Sequence, residues 1–179
     1  MKPENGNVSF IHCGFSGLRY FIGYKNGNIE AYDNSKMEAD KDLNSKLKNI
    51  GSKVTSIVTS RKYICYSSVN GRVLVVFFNS GECVELQKEC KGEINDLKIS
   101  VSKHFLYGMY DRSPNELMMV WNVMTGKLVH EHDLDIEDKP EDKEDTYKLM
   151  IDHTDDASLM FIRSCFRKGV SILSFDDGV

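Results

Sequence analysis

Two histidines and two carboxylates lie close together near position 130 and could in principle bind a metal ion. The sequence there has His130 and His132, followed by Asp133 and Asp135. Alternate residues of a β-strand point to the same face, so both imidazoles could reach one Zn²⁺ ion. Because histidine pairs of this spacing are common by accident, we interpret them as surface or structural residues and predict no metal.

A second polar cluster, at positions 152–156, has the sequence Asp-His-Thr-Asp-Asp. It follows a strand-like segment, where other parts of the chain have a turn between two strands. Aspartate and threonine favour turns because their side chains hydrogen-bond to the nearby backbone. We therefore interpret this cluster as a turn and not as a catalytic or metal-binding group.

The sequence holds no motif typical of a nucleophilic or phosphate-binding site. It lacks the G-x-S-x-G, Walker A and G-x-G-x-x-G patterns. His12 and Cys13 are adjacent, and on a strand their side chains would point to opposite faces. The segment 14–17, Gly-Phe-Ser-Gly, is interpreted as a short turn. These observations predict that the protein is not an enzyme and needs no cofactor.

An acidic insert at positions 133–146 holds eight Asp and Glu residues and two Lys residues. A segment of this charge cannot bury itself, so we expect an exposed loop. Its carboxylates could attract a basic protein partner and accelerate association in a salt-dependent way. The residues assigned to this docking role are Asp135, Glu137, Asp138, Glu141, Asp142, Glu144 and Asp145.

The composition is typical of a soluble globular protein, with 41% hydrophobic and 28% charged residues. A net charge of -4 argues against a general nucleic-acid or anionic-membrane binder. Basic residues such as Arg61 and Lys62 are interpreted as solubilising charges, although together with aromatic residues in turns they could contact RNA. The longest apolar run, Val73–Phe78, is far shorter than the ~20 residues that cross a bilayer.

Two further observations predict a cytoplasmic or nuclear location. The N-terminal residues are polar, and no apolar signal-peptide segment follows them. The five cysteines include no C-x-x-C pair, so we expect reduced thiols and not a disulfide framework or a zinc site.

A repeat organises the chain, and its clearest sign is an aromatic residue followed by Asp or Asn at the end of a strand. Intervals of 46, 43 and 54 residues separate the four occurrences. A blade of a repeat protein built from four strands has a period of about 40–45 residues, and the acidic insert accounts for the longer third interval. The four pairs are Tyr32-Asp33, Phe78-Asn79, Trp121-Asn122 and Phe175-Asp176.

Each repeat unit contains three strands joined by turns of matching phase. The turns between the second and third strands hold Asn26-Gly27, Asn70-Gly71, Asp111 and Lys168-Gly169. Asn-Gly is the strongest short hairpin signal, because both turn positions favour positive φ. The units cover residues 8–48, 54–90, 94–132 and 147–178.

A fourth, outer strand is predicted in three of the units. The candidates are Leu43–Lys48, Cys83–Gln87 and Lys127–His130. In the first unit a long polar loop at 34–42 precedes it, and a short helix within 36–48 is the alternative that ranks second.

These units resemble WD repeats, and the segment 118–127, Met-Met-Val-Trp-Asn-Val-Met-Thr-Gly-Lys, matches the family pattern best. The resemblance implies an all-β fold of antiparallel four-stranded blades from a β-propeller. The Gly-His dipeptide of the family is missing, and Lys91-Gly92-Glu93 stands at its place in the third unit. The His–Ser–Asp–Trp network of the family therefore cannot form in full, with Asp111 and Trp121 matching two of its members.

The number of units bears on the function. Propellers close with about four to eight blades, and WD-type rings usually resemble the larger ones. Four units could be part of a longer propeller, could pair with another chain, or could form a compact four-blade assembly; we favour the first. The resemblance and the lack of catalytic motifs predict a protein–protein interaction scaffold. An RNA-associated module and an enzyme with a propeller-borne site are the alternatives.

Overall fold

Four antiparallel sheets, one from each repeat unit, make up the fold. The structure is a computed structural model and describes residues 6–86, 93–99, 104–112, 115–134, 150–153, 159–163 and 171–174. We call the sheets blades 1 to 4 in chain order. Their strands confirm the predicted all-β class.

Strands that follow one another in the chain are neighbours in each sheet, so every blade is a simple meander. Blade 1 consists of β1 (Val8–Cys13), β2 (Arg19–Tyr24), β3 (Ile29–Asp33) and β4 (Glu38–Ala39), followed by helix α1 (Lys41–Lys46). Blade 2 consists of β5 (Val54–Thr59), β6 (Tyr63–Ser68), β7 (Val73–Phe77) and β8 (Cys83–Glu85). Blade 3 consists of β9 (Ile94–Ile99), β10 (Phe105–Arg112), β11 (Asn115–Asn122) and β12 (Leu128–Leu134). The described strands of blade 4 are β13 (Met150–His153), β14 (Leu159–Arg163) and β15 (Ser171–Ser174).

The two Asn-Gly hairpins form at the predicted places, but not with the predicted turn type. Only the glycines have positive φ, 86° at Gly27 and 78° at Gly71. Gly27 N–H donates to the carbonyl of Tyr24, and the backbone of Ser68 and Gly71 is bonded in the same way. This is the three-residue loop with a left-handed glycine, in which the asparagine keeps a negative φ. The prediction of positive φ at both turn positions was therefore wrong.

The turns between the third and fourth strands share one bonding pattern, and this pattern corrects the repeat register. The amide of the fifth turn residue donates to the carbonyl of the first, in Asp33–Met37, Phe77–Gly81 and Asn122–Gly126. Phe77, and not Asn79, therefore corresponds to Asp33 and Asn122. The Phe78-Asn79 pair lies two residues beyond the equivalent pair, Val76-Phe77.

The left-handed position of these turns is glycine in blades 2 and 3, with φ of 70° at Gly81 and 69° at Gly126. In blade 1 the same position is Met37, whose φ is 56°. A side chain in this region clashes with the backbone and costs about 1–2 kcal/mol. Among the described residues, Met37 is the only one other than glycine with positive φ.

The predicted outer strand at Leu43–Lys48 was wrong, because helix α1 occupies most of that segment. Asp40 caps the helix, since its carboxylate accepts a hydrogen bond from the amide of Leu43. Strand β4 has only two residues, and beyond it the side chain of Asn44 bonds both the N–H and the C=O of Ala31 on β3. The amide of Asp40 also donates to the carbonyl of Ala31, so the Asn44 side chain supplies the other half of this rung, the acceptor for the Ala31 N–H.

The turn predicted at Asp111 was also wrong. Strand β10 continues through this residue, which is paired with Glu116 of β11. The hairpin of blade 3 is therefore longer than those of blades 1 and 2. Charged residues at the end of a long strand resemble turn residues in sequence, and this explains the error.

Two more segments are strand where a loop or turn was predicted. Strand β12 continues to Leu134, so Asp133 belongs to the blade and not to the acidic insert. Asp152 and His153 lie in β13 and pair with β14. The turn predicted after them, at 154–156, lies outside the described residues.

Residues of β6 and β7 alternate between two hydrophobic cores, one on each face of blade 2. Ile64 and Val76 pack into the core shared with blade 1. Cys65 and Val75 pack into the core shared with blade 3. All of β6 is buried, as expected for a strand covered on both faces.

The first strands of blades 1 to 3 lie side by side, with β1 against β5 and β5 against β9. A hydrogen bond from the amide of Leu97 to the hydroxyl of the buried Ser56 joins β9 to β5. The described strands do not close into a ring.

Candidate functional site

A pocket of about 320 Å³ lies between blades 1 and 2, at the end where the β1–β2 and β5–β6 turns meet. Its apolar surface comes from three aromatic side chains, Phe15, Phe21 and Phe78. Two arginines, Arg19 and Arg61, supply its charge. The remaining lining residues are small, namely Gly14, Ser16, Thr59 and Ser60.

The β1–β2 turn builds one wall of the pocket. It joins Cys13 to Tyr20, which are paired across the strands, and it is two residues longer than the corresponding turn of blade 2. The amide of Phe15 reaches blade 2 and donates to the hydroxyl of Thr59 at 3.1 Å. The longer turn therefore leans across the junction between the blades and fixes Phe15 beside the pocket.

His12 supports this arrangement from below the turn. Its Nε2 atom lies 3.2 Å from the hydroxyl oxygen of Thr59. Burial, and then the positive charge of Lys98, lower the pKa of His12. A neutral imidazole can accept the proton of the Thr59 hydroxyl, while the oxygen of that hydroxyl accepts the amide of Phe15. The three groups thus hold one another in a fixed geometry.

Phe21 and Phe78 form the base of the pocket. Their rings are stacked with centroids 6.3 Å apart, and Phe21 is almost completely buried. The hydroxyl of Ser60 accepts the amides of Lys62 and Tyr63 and so closes the β5–β6 turn. These contacts place the pocket on a packed base and not on a mobile side chain.

The electrostatics of the pocket are positive. No Asp or Glu lines it. The guanidinium carbon of Arg61 lies 5.4 Å above the centre of the Phe15 ring, within the range of a cation–π contact. Arg19 is bonded through Nε to Asp40, at 2.8 Å. Arg61 forms no ion pair within the part of the chain that the structure describes.

Large apolar side chains are exposed next to the pocket. Phe15 is 57% exposed, Leu18 62% and Met37 70%. The turns that carry them are joined, because Asn34 donates its amide to the carbonyl of Leu18 and its side chain to Gly17. We call these three side chains the apolar patch.

Three of the residues that define the repeat, Asp33, Trp121 and Asn122, make structural contacts. Trp121 is buried, and its ring packs on Gly108 and next to the ring of Tyr110. Asp33 and Asn122 each accept two backbone amides of the turn that follows, which explains the Asp or Asn at these strand ends.

The two histidines weighed as metal ligands do not line the pocket. His130 and His132 are exposed on β12. Among the residues described, no group of three or more potential metal ligands occurs. The seven carboxylates of the acidic insert, together with Phe175 and Asp176, lie outside the described residues.

Sequence reasoning missed the pocket, because its two walls are turns about 45 residues apart in the chain. It interpreted the segment 14–17 as an ordinary turn and Arg61 as a solubilising charge. The available signal was the pair Phe15 and Leu18, two large apolar residues in a turn rich in glycine and serine.

The comparisons with known proteins find similar folds but no similar sequences. No protein-family model matches the chain, and no curated protein matches it. A computationally designed protein, Ika4, is 15% identical with a TM-score of 0.67, over 98% of this chain and 96% of its own. The β-propeller domain of Cps50 (Swd1) from Myceliophteria thermophila is 16% identical with a TM-score of 0.67, over 94% of this chain and 52% of its own.

A third structure, hydrazine synthase from Kuenenia stuttgartiensis, is 12% identical with a TM-score of 0.68. The match covers 96% of this chain and 52% of that one. These likenesses show the propeller fold and nothing finer. The chain spans about half the length of two of the three structures it matches. No helix among the described residues is long and apolar enough to cross a membrane.

Proposed function

We propose that this protein is a protein–protein interaction scaffold and that the apolar patch and the adjacent pocket form its binding surface. The observation that carries the proposal is the exposure of Phe15, Leu18 and Met37 on two joined turns. Clusters of exposed apolar side chains in soluble proteins mark binding surfaces. The propeller-like neighbours support a fold that is well suited to present such turns.

We also propose that the protein acts by binding and not by catalysis. The Thr59 hydroxyl is bonded by His12 and by the Phe15 amide, so it serves a structural purpose. Burial raises the pKa of the Cys65 thiol, which disfavours the reactive thiolate. The Thr59 hydroxyl joins two blades and the Cys65 thiol is buried in the core, and both surroundings support binding over catalysis.

Photo-crosslinking tests the binding surface. A benzoyl-phenylalanine placed at Leu18 should capture a recurring protein from an extract of the source cells, identified by mass spectrometry. The same probe at Lys25, which lies exposed in the β2–β3 turn at the other end of blade 1, is the matched control. Equal products from both positions, or none from Leu18, would contradict the proposal. Crosslinked RNA in place of protein would favour the RNA-associated alternative.

The identity of the full assembly is a second part of the proposal. Two matched propellers are about twice as long as this chain, and we propose that further blades complete the ring. The face of blade 1 away from blade 2 carries Tyr20 stacked on Tyr32, at 5.0 Å, and the exposed Ile11. Apolar and aromatic side chains of this kind form the cores between neighbouring blades of this chain. Analytical ultracentrifugation and thermal melting of the 179-residue chain test this. A stable monomer that melts cooperatively would contradict it.

A further inference from the structure

We infer that the pocket between blades 1 and 2 binds an acidic peptide segment through one apolar or aromatic anchor side chain. This inference rests on the proposed function, since it names the chemistry of the partner at the same surface. It depends on three features of the pocket: its size, its aromatic base and the charge of Arg61, which forms no ion pair with any described residue.

The size suits one anchor side chain and not a large ligand. Ligand pockets of proteins span about 300–1,000 Å³, and this one lies at the lower end, at about 320 Å³. The stacked rings of Phe21 and Phe78 form its base. Phe21 is already buried, so an apolar or aromatic side chain placed there would cover the exposed part of the Phe78 ring. The removal of apolar surface from water is the main source of affinity in such contacts.

The charge of the pocket selects carboxylates beside the anchor. Arg61 is exposed and lies over the ring of Phe15, which restricts its guanidinium group before a ligand arrives. A guanidinium binds a carboxylate through two parallel hydrogen bonds, so a pre-oriented arginine gains both affinity and specificity. Arg19 meets Asp40 through its Nε atom. The Asp40 carboxylate offsets the charge of Arg19, so Arg61 carries most of the selection for a carboxylate.

A peptide fits this surface better than RNA does. The turn next to the pocket carries acidic residues, Asp33, Glu38 and Asp40. They would repel a phosphate backbone that continued past the pocket, and the whole chain has a net charge of -4. A short segment with few carboxylates needs only the guanidinium of Arg61, whereas a nucleic-acid strand would carry further phosphates past these acidic residues.

Fluorescence anisotropy with the full chain tests the inference. The probe is a labelled 12-residue peptide with one Phe between two pairs of Asp, in a Gly/Ser background. We expect measurable binding that weakens about ten-fold or more when the Phe becomes Ala or when the Asp residues become Asn. The variants Arg61→Gln and Phe15→Ser should weaken it similarly. Lys25→Gln, an exposed basic residue at the other end of blade 1, should leave it unchanged.

Several outcomes would overturn the inference. One is a peptide affinity that Arg61→Gln and Phe15→Ser do not change, in variants whose melting curves match the parent protein. Another is tighter binding of a labelled 12-nucleotide poly-U RNA with the same dependence on Arg61. If the peptide does not bind while the probe at Leu18 still captures a protein, this inference fails and the proposed function stands. If neither binds, both fail.

Discussion

Replacing Met37 with glycine should stabilise the protein, because Met37 has a left-handed backbone conformation. The equivalent residues of blades 2 and 3, Gly81 and Gly126, are glycines. The φ of 56° at Met37 costs about 1–2 kcal/mol for a residue with a side chain. Glycine removes that strain but adds about 0.5–1 kcal/mol of unfolded-state entropy. Met37 is mostly exposed, so little buried surface is lost. The free energy of unfolding of Met37→Gly should therefore rise by about 0.5–1 kcal/mol.

Urea unfolding followed by tryptophan fluorescence measures this change, since Trp121 is the single tryptophan and is buried. Met37→Ala is the first control: it removes the side chain but keeps the strain, so it should be close to neutral. Gly17→Ala is the second, because Gly17 has φ of 68° and open space around an added Cβ. It should lose about 1 kcal/mol or more. A Met37→Gly protein no more stable than Met37→Ala would refute the reasoning.

Three further predictions concern the blades and their junctions. Gly108→Ala should destabilise the protein by about 1–3 kcal/mol and shift the tryptophan emission, because the new Cβ would lie 2.6 Å from Cζ3 of Trp121. Asn44→Ala should cost about 1–3 kcal/mol in urea unfolding, because the N–H of Ala31 loses its side-chain acceptor; an equally stable variant would contradict the role of Asn44 as a sheet rung. Folding lowers the pKa of His12 below its usual value of 6.5, so this histidine binds a proton more readily in the unfolded chain than in the folded one. The free energy of unfolding should therefore fall as the pH drops below 6.5 and through the pKa of the folded state. The difference in the free energy of unfolding between about pH 7.5 and about pH 5, measured by urea denaturation, should be smaller for His12→Gln than for the parent protein.

The strands of this fold are largely readable from the sequence, because burial on one or both faces imposes a local pattern. The sequence pattern predicts strands at Val8–Cys13, Val54–Thr59, Ile94–Ile99 and Leu159–Arg163, and these bounds are those of β1, β5, β9 and β14. All four combine apolar or β-branched residues with clear turn signals at their ends. The errors lie where local signals are ambiguous, as at Asp111.

Helix α1 shows how one capping residue can override a strand pattern. Asp40 caps the helix and also forms an ion pair with Arg19 at the start of β2. The second contact cannot be predicted from the local sequence. The pocket was unpredictable for a related reason. The distance between Phe15 and Arg61 depends on how two blades dock, and no local pattern encodes that.

The alternation along β6 has a consequence for how such a chain changes over evolutionary time. Ile64 belongs to the junction with blade 1, and its neighbour Cys65 belongs to the junction with blade 3. A substitution at Ile64 must therefore be accommodated by residues of blade 1, about 40 positions earlier in the chain. A substitution at Cys65 must be accommodated by residues of blade 3, about 40 positions later. The unit within which substitutions must compensate one another is therefore the contact between two blades, and it is offset by half a period from the repeat in the sequence.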